Sequence, residues 1–200
     1  MTDVELAWDK MGGLLPAVVQ DADTLQVLMV GYMSRESLAR TRELGRVTFQ
    51  SRSRGGLWTK GETSGHWLDL VDVTPDCDGD ALLVRARPHG PTCHRETTSC
   101  FGDETAPGVG FLQKLARTIA QRAKEKPEKS YTVELLASGI PRVAQKVGEE
   151  AVETVIAALG PDAKAFAGEA GDLLYHLLVL FQSKGMRLED ALDVLRSRHR

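Results

Sequence analysis

Three thiols and three carboxylates fall in one short window, DCDGDALLVRARPHGPTCHRETTSC, Asp76 to Cys100. Cys77, Cys93 and Cys100 are all the cysteines of the chain, and Asp76, Asp78 and Asp80 alternate around the first of them. Side chains at i, i+2 and i+4 of an extended segment point to one side. The three aspartates are therefore expected on one face of a strand start, with Cys77 on the other. Adjacent carboxylates repel unless a cation joins them; hard oxygen donors suit Mg²⁺ and thiolates suit Zn²⁺. Three thiolates are one short of a closed structural zinc site. A catalytic zinc keeps three protein ligands and an open position for water, whose pKa falls to about 7 there. His94, beside Cys93, is the candidate for moving a proton to or from that water. The competing reading makes the cysteines small buried hydrophobes and the aspartates a solvated turn. The spacing does not say whether all three thiols come from one subunit.

Two further stretches could do chemistry. SRSRGGLWTKGETSGHW, Ser51 to Trp67, offers Arg52, Arg54 and Lys60 as positive charge for phosphate and Trp58 as a flat surface for a base. An ordinary polar β-hairpin would have the same composition. KVGEEAVETV carries Glu149, Glu150 and Glu153 at i, i+1 and i+4. Like charges one helical turn apart cost about 0.2–0.5 kcal/mol per pair. Lys146, four residues before Glu150, can offset one of them and is also a candidate substrate contact. Val143, Val147, Ala151 and Val155 form an apolar stripe on the other side. The following segment, GEAGDLLYHLLVLFQ, is apolar nearly all round after Asp172, so its helix is expected to be buried. Glu169 and Asp172 sit one turn apart on it, and a buried unpaired carboxylate must meet a cation or a proton. Paired, the two helices can gather Glu149, Glu150, Glu153, Glu169 and Asp172 around Mg²⁺, the usual partner of a polyphosphate. The alternative cation is Lys146 or Arg142 in a structural ion-pair network. His176, one turn past Asp172, is read as structural.

The elements that must position these groups change character near residue 105. Before it, LLPAVVQD, TLQVLMVGYM, RVTFQSRS, HWLDLVDVT and ALLVRAR read as strands, and Ser34 as the N-cap of a short helix RESLARTREL. After it, FLQKLARTIAQRA, TVELLAS, PRVAQKVGEEAVETVIAAL, AKAFAGEAGDLLYHLLVLFQSKG and LEDALDVLRSR carry helical periodicity. GDETAPGVG, Gly102 to Gly110, joins them as a linker by composition. The expected architecture is a mostly-β α+β domain over 1–105, a linker over 106–110 and an all-α domain over 111–200. With 200 residues, each half can bury a small core that oligomerisation would help. Net charge is −3, with no long basic run, so nucleic-acid binding is not suggested. No apolar run reaches the roughly 18 residues of a membrane span. The opening MTDVELAWDK lacks a signal-peptide pattern. An odd number of cysteines fits a reducing, cytoplasmic setting and argues for metal or catalysis rather than disulfides.

SRSRGGLWTKGETSGHWL, DCDGDALL and GPTCHRETTSCF resemble phosphoribosyl-AMP cyclohydrolase over roughly residues 1–105. SYTVELLASGIPRVAQKVGEEAVETVIAAL and GEAGDLLYHLLVLF resemble phosphoribosyl-ATP pyrophosphohydrolase over roughly residues 110–200. That order is the order of the fused, bifunctional enzyme of histidine biosynthesis. The resemblance implies a cyclohydrolase homodimer with active sites at the subunit interface. It implies zinc held by Cys77 of one subunit and Cys93 and Cys100 of the other, and magnesium held by Asp76, Asp78 and Asp80. It implies a helical pyrophosphohydrolase whose magnesium site maps onto Glu149, Glu150, Glu153, Glu169 and Asp172. It implies two consecutive hydrolyses: release of pyrophosphate, with a glutamate such as Glu150 positioning the water, then opening of the adenine N1–C6 bond, with His94 moving the proton. Arg52 and Lys60 would hold phosphates, and Trp58 would stack on the base. One departure stands out. The family pattern has Thr-Gly after GPTCH; here Arg95 and Glu96 follow, and a glycine's freedom at positive φ is lost at Glu96. The competing classes are a zinc-stabilised binding module on a helical dimerisation domain, and a general nucleotide pyrophosphohydrolase whose first half only recognises the base.

Overall fold

The computed structural model describes residues 5–53, 55–102, 106 and 108–199. The chain forms two compact units, Met1–Phe111 and Leu112–Arg200. The boundary expected at residue 105 falls outside the described residues, as do parts of the expected linker.

The first unit is built on a four-stranded sheet of order β2-β1-β6-β5, from β1 (Leu15–Asp21), β2 (Val27–Met33), β5 (Leu68–Pro75) and β6 (Leu82–Pro88). β1 runs antiparallel to β2 and parallel to β6, and β5 is antiparallel to β6. Strict alternation drives this arrangement. Leu15, Ala17 and Val19 of β1 and Leu82, Val84 and Ala86 of β6 are buried on one face. Leu28, Met33, Leu38, Phe49, Leu68 and Trp8 complete that core. Each fully buried aliphatic side chain contributes about 1.5–3 kcal/mol. The opposite face lines up Val30, Val18 and Leu83 across three strands, and Val30 and Leu83 remain 44% and 37% exposed.

Helix α1 (Arg35–Leu44) starts at Ser34, as the sequence indicates. Ser34 Oγ accepts from the Ser37 amide at 3.2 Å and Ser37 Oγ accepts from the Ser34 amide at 2.8 Å, a reciprocal cap. The helix ends at Gly45 in the left-handed region. A small antiparallel ribbon of β3 (Thr48–Gln50) and β4 (Leu57–Thr59) follows, so the Arg- and Trp-bearing stretch is indeed a hairpin.

One expectation about the acidic triplet is corrected. Residues Asp76 to Asp80 do not extend β6; they form the turn between β5 and β6. The Asp76 amide donates to the Ala81 carbonyl at 3.0 Å, the Ala81 amide donates to Asp76 Oδ1 at 3.1 Å, and Gly79 takes φ +73°. Alternating Asp with Gly is turn chemistry, because an Asp side chain can bond nearby backbone and Gly supplies positive φ.

The second unit is helical: α2 (Gly110–Glu125), α3 (Tyr131–Ala137), α4 (Ile140–Leu159), α5 (Ala163–Ser183) and α6 (Leu188–Arg198). Pro141 opens α4, and Asp162 caps α5 by accepting from the amides of Lys164 and Ala165. Ile119, Leu135, Val143, Leu178 and Val179 form the core. Two expectations change here. The stripe through Val143 and Val155 is not one buried face: Val143 is enclosed, whereas Val155 is 62% exposed and Val152, Ile156 and Leu159 lie open beside it. The apolar α5 is only partly enclosed, with Leu174 45% exposed. In both cases a single copy of the unit supplies too few packing partners for the apolar surface the helices carry.

Candidate active sites

Three tertiary arrangements gather the reactive side chains. The first is the thiol cleft. Cys93 opens a tight turn in which its amide donates to the Thr97 carbonyl at 3.0 Å and the Glu96 amide donates to the Cys93 carbonyl at 3.1 Å. Cys100 is pinned to β2 by its own amide, which donates to the Leu28 carbonyl at 2.8 Å. Next to it, buried Ser99 donates its hydroxyl to the Val27 carbonyl at 2.8 Å. Cys93, Cys100, His94, Glu96, Lys60 and Trp58 line one cleft of about 320 Å³. His94 Nδ1 lies 3.8 Å from Cys93 Sγ.

Electrostatics in this cleft split the two thiols. The backbone N–H of Arg95 and the Thr97 hydroxyl hold Cys93 below the ordinary thiol value, favouring thiolate. Desolvation, then the neighbouring Cys93 charge, push Cys100 up. Lys60 is buried, which lowers its ammonium against the pull of the two thiols and Glu96. Cys77 is exposed on the β5–β6 turn and is not among the residues lining this cleft.

The second arrangement is the acidic turn. Carboxylate oxygens of Asp76, Asp78 and Asp80 lie within 4.8 Å of one another. Lys10 bridges two of them, with Nζ 2.9 Å from Asp78 and 2.6 Å from Asp80. That pairing raises the Lys10 ammonium above the usual lysine value and lowers Asp78. Lys10 is far away in sequence, so no local pattern points to it.

A larger cleft of about 720 Å³ lies along β2 and the β3–β4 hairpin, lined among others by Tyr32, Phe49, Arg52, Trp58 and Glu62. The Arg52 guanidinium sits 3.8 Å from the centre of the Tyr32 ring, and Trp58 packs 5.5 Å from Phe49. Trp58 thus belongs to the walls of both clefts, Arg52 to the larger and Lys60 to the thiol cleft. Arg54, the other cation of this stretch, lies outside the described residues.

The third arrangement lies in the helical unit. Of the five carboxylates singled out, Glu150 from α4 and Glu169 and Asp172 from α5 converge, each offering an oxygen within 4.8 Å of the others. Glu150 is 5% exposed and so is withdrawn from solvent, whereas Glu153 on the same helix is exposed. Glu149 is engaged elsewhere, accepting from Lys146 at 2.9 Å and Gln145 at 2.8 Å, and Lys146 holds it below the usual carboxylate value. Glu153 is not among the converging residues. Lys146 also reaches Glu150 at 2.7 Å, and the two glutamates raise its ammonium well above the ordinary value. The ion-pair network weighed from the sequence is therefore present, beside a carboxylate trio that it only partly neutralises. His176, read from the sequence as structural, is buried beside Glu150, and its ring partners Tyr131 and Tyr175 are what sequence patterning did not point to. The ring contacts there join α3 to α5 and carry no local signature.

Both hard-oxygen clusters have the donor chemistry of a divalent-cation site, and the Cys93–Cys100 pair has the donor chemistry of a zinc site lacking its third sulfur. Comparison with known proteins agrees with this division. The family model for phosphoribosyl-AMP cyclohydrolase matches residues 29–102, and the model for phosphoribosyl-ATP pyrophosphohydrolase matches residues 112–199. The chain is 55% identical over 194 residues to the "Histidine biosynthesis bifunctional protein HisIE" of Xanthomonas axonopodis pv. citri, covering 97% of this chain and 93% of that protein. It is 54% identical over 195 residues to the protein of the same name from Escherichia coli K12, covering 98% and 96%.

Proposed function

The chain belongs to the bifunctional histidine-biosynthesis family that joins a phosphoribosyl-AMP cyclohydrolase to a phosphoribosyl-ATP pyrophosphohydrolase, and from that premise we propose how its residues divide the two reactions. The enzyme is a bifunctional hydrolase. The helical unit hydrolyses phosphoribosyl-ATP to phosphoribosyl-AMP and pyrophosphate. The strand-rich unit then opens the adenine ring of that product by hydrolysis of the N1–C6 bond.

In the helical unit, Glu150, Glu169 and Asp172 hold Mg²⁺, which when bound neutralises charge on the triphosphate and the leaving pyrophosphate. A water attacks at the α–β linkage, the phosphoanhydride bond breaks, and pyrophosphate departs. Glu150, low in exposure and fixed by Lys146, is placed to orient that water and accept its proton. Lys146 is the nearby cation for a phosphate oxygen, while Glu149 and Glu153 act at most on the rim of this site.

In the strand-rich unit, Cys93 and Cys100 with Cys77 of a second subunit hold Zn²⁺, which when bound brings a water toward the acidity needed for attack at neutral pH. The substrate carries a ribosyl group on N1, which leaves C6 electron-poor. The water's oxygen bonds to C6, the N1–C6 bond breaks, and N1 takes up a proton. His94, in the thiol cleft, is the group placed to move it. Trp58 stacks on the base between the two clefts. Arg52 and Lys60 offer positive charge for phosphates, and Asp76, Asp78 and Asp80 would hold a Mg²⁺ that would supply more of it.

Separation of Cys77 from the other two thiols supports a homodimer that completes the zinc site. The exposed Val30–Leu83 patch and the open Val152–Leu159 strip supply apolar surface for such pairing. Three free thiols suit the cytoplasm. Among the described residues no helix is long and apolar enough to cross a membrane.

The observation that carries this reading is the placement of a thiol cleft in one unit and, in the other, a carboxylate trio built around buried Glu150, each inside its own family match. One assay tests it: phosphoribosyl-ATP is supplied, and pyrophosphate release and the ultraviolet change of ring opening are followed together. Cys93→Ser abolishes ring opening while pyrophosphate release continues. Glu150→Gln abolishes pyrophosphate release, while supplied phosphoribosyl-AMP is still opened. Retention of pyrophosphate release by Glu150→Gln would show the helical site to be misassigned.

A further inference from the structure

One buried titratable group next to the carboxylate trio has no role in either reaction as described. His176 is 5% exposed on α5, one turn beyond Asp172. Its Nδ1 lies 2.9 Å from the backbone carbonyl of Asp172 and 3.6 Å from Glu150 Oε1. Its Nε2 lies 3.1 Å from the Tyr131 hydroxyl. Tyr131 and Tyr175 meet the imidazole edge-on, with ring centres 6.1 and 5.1 Å away. Tyr175 is tied in turn to buried Thr132 by a 2.9 Å hydroxyl contact.

These partners fix the tautomer. A carbonyl oxygen only accepts, so the hydrogen between Nδ1 and Asp172 belongs to Nδ1. Nε2 of the neutral ring then carries the lone pair, and Tyr131 must be the donor to it. The Nδ1–H therefore points its positive end at the Asp172 carbonyl and toward the Glu150 carboxylate, which at 3.6 Å is too far for a hydrogen bond but close enough to be attracted. Glu150 Oε1 thus faces both the Lys146 ammonium at 2.7 Å and the imidazole Nδ1 at 3.6 Å. His176 spans α4 and α5, the two helices that supply the trio, and Tyr131 locks it from α3. Carboxylate ligands of a metal are aimed by such outer donors, and losing one costs about 10–100-fold in metal affinity.

We propose that His176, oriented by Tyr131, is the positioning residue of the divalent-cation site, setting Glu150 and the Asp172 turn so that their oxygens and that of Glu169 face one point. The inference rests on the reading of the trio as a cation site. The competing role is simple filling of space between three helices, and two substitutions separate the two. Leucine keeps apolar volume and removes the donor; asparagine loses volume and keeps an N–H where Nδ1 was.

The test is calorimetric titration of Mn²⁺ into the full-length protein, with the heat that Glu150→Gln removes assigned to the helical unit. His176→Leu is expected to weaken that class of binding about tenfold, His176→Asn to recover most of the loss, and Tyr131→Phe to weaken binding in the same direction as leucine but by less. Ring opening by the other unit and the melting of helical circular dichroism show whether each variant is folded. Should either His176 variant lose its helical signal, Tyr131→Phe decides: unchanged Mn²⁺ binding overturns the proposal. Wild-type affinity in His176→Leu, or an asparagine variant no better than leucine, overturns it in favour of packing. If Glu150→Gln leaves the Mn²⁺ heat intact, the cation-site reading itself falls and takes this role with it.

Discussion

Glu96 shows what a single departure from a pattern can store. The sequence places a glutamate where the family pattern has glycine, and its φ is +61° in the turn between Cys93 and Thr97. An L-residue there costs about 1–2 kcal/mol, while the greater chain freedom of glycine returns roughly 0.5–1 kcal/mol of that. Glu96→Gly is therefore expected to stabilise the first unit by about 0.5–1 kcal/mol. All three tryptophans, Trp8, Trp58 and Trp67, lie in that unit, so tryptophan fluorescence in urea follows its unfolding alone. A lower midpoint for Glu96→Gly would show that the turn has no strain to release. Residue types were legible at this scale: thiols, aspartates and glutamates announce themselves in the letters. Lys146, the counter-ion of the glutamates, was legible too, but that of the aspartates was not, because Lys10 meets Asp78 and Asp80 across 68 and 70 positions of chain.

Elements decide which of those letters converge. The period-2 argument assumed an extended segment at Asp76–Asp80, and the carboxylates gather instead because a turn curls them together. The grouping was right and its geometry was wrong, since Asp and Gly at alternate positions favour turn closure over pleating. Gly79 sits where an added Cβ would lie 2.3 Å from the Glu5 carbonyl oxygen, so the turn is also pressed against the N-terminal segment. Gly61 plays a stricter part after β4. Its φ is +91°, and a Cβ there would come within 2.6 Å of the His66 backbone carbonyl group. Backbone cannot yield as a flexible side chain does. Gly61→Ala is expected to cost about 1–3 kcal/mol in the tryptophan-monitored transition, the scale of local backbone strain. It should also depress ring opening by displacing Lys60, with pyrophosphate release unchanged. Normal ring opening in that variant would mean the turn moves without consequence for the thiol cleft.

At the scale of the whole molecule, one copy of the chain brings Cys93 and Cys100 into a cleft and leaves Cys77 on the surface outside it. A shared site makes a quantitative prediction by symmetry. Cys77→Ser and Cys93→Ser are each expected to lack ring opening. Mixed and allowed to exchange subunits, half of the dimers carry one of each, and each mixed dimer holds one complete set of sulfurs. Ring opening should return to about a quarter of the wild-type rate. No recovery after demonstrated exchange would place all three thiols in one subunit's site. The exposed strip of Val152, Val155, Ile156 and Leu159 belongs to the same scale, because its burial cannot be supplied by α4 alone.

The letters by themselves settled the two-part architecture, the helix cap at Ser34, the family and the reactive residue types. The architecture, the cap and the residue types follow from short-range rules of periodicity and capping, and the family from the resemblance of whole motifs. Which carboxylates face one another, that Glu149 turns to Lys146 while Glu150 faces inward, and that His176 is fixed by a tyrosine from another helix emerged only in three dimensions. Those outcomes depend on packing between segments distant along the chain, where an error of one residue in register or 100° in helix phase exchanges an inward side chain for an outward one.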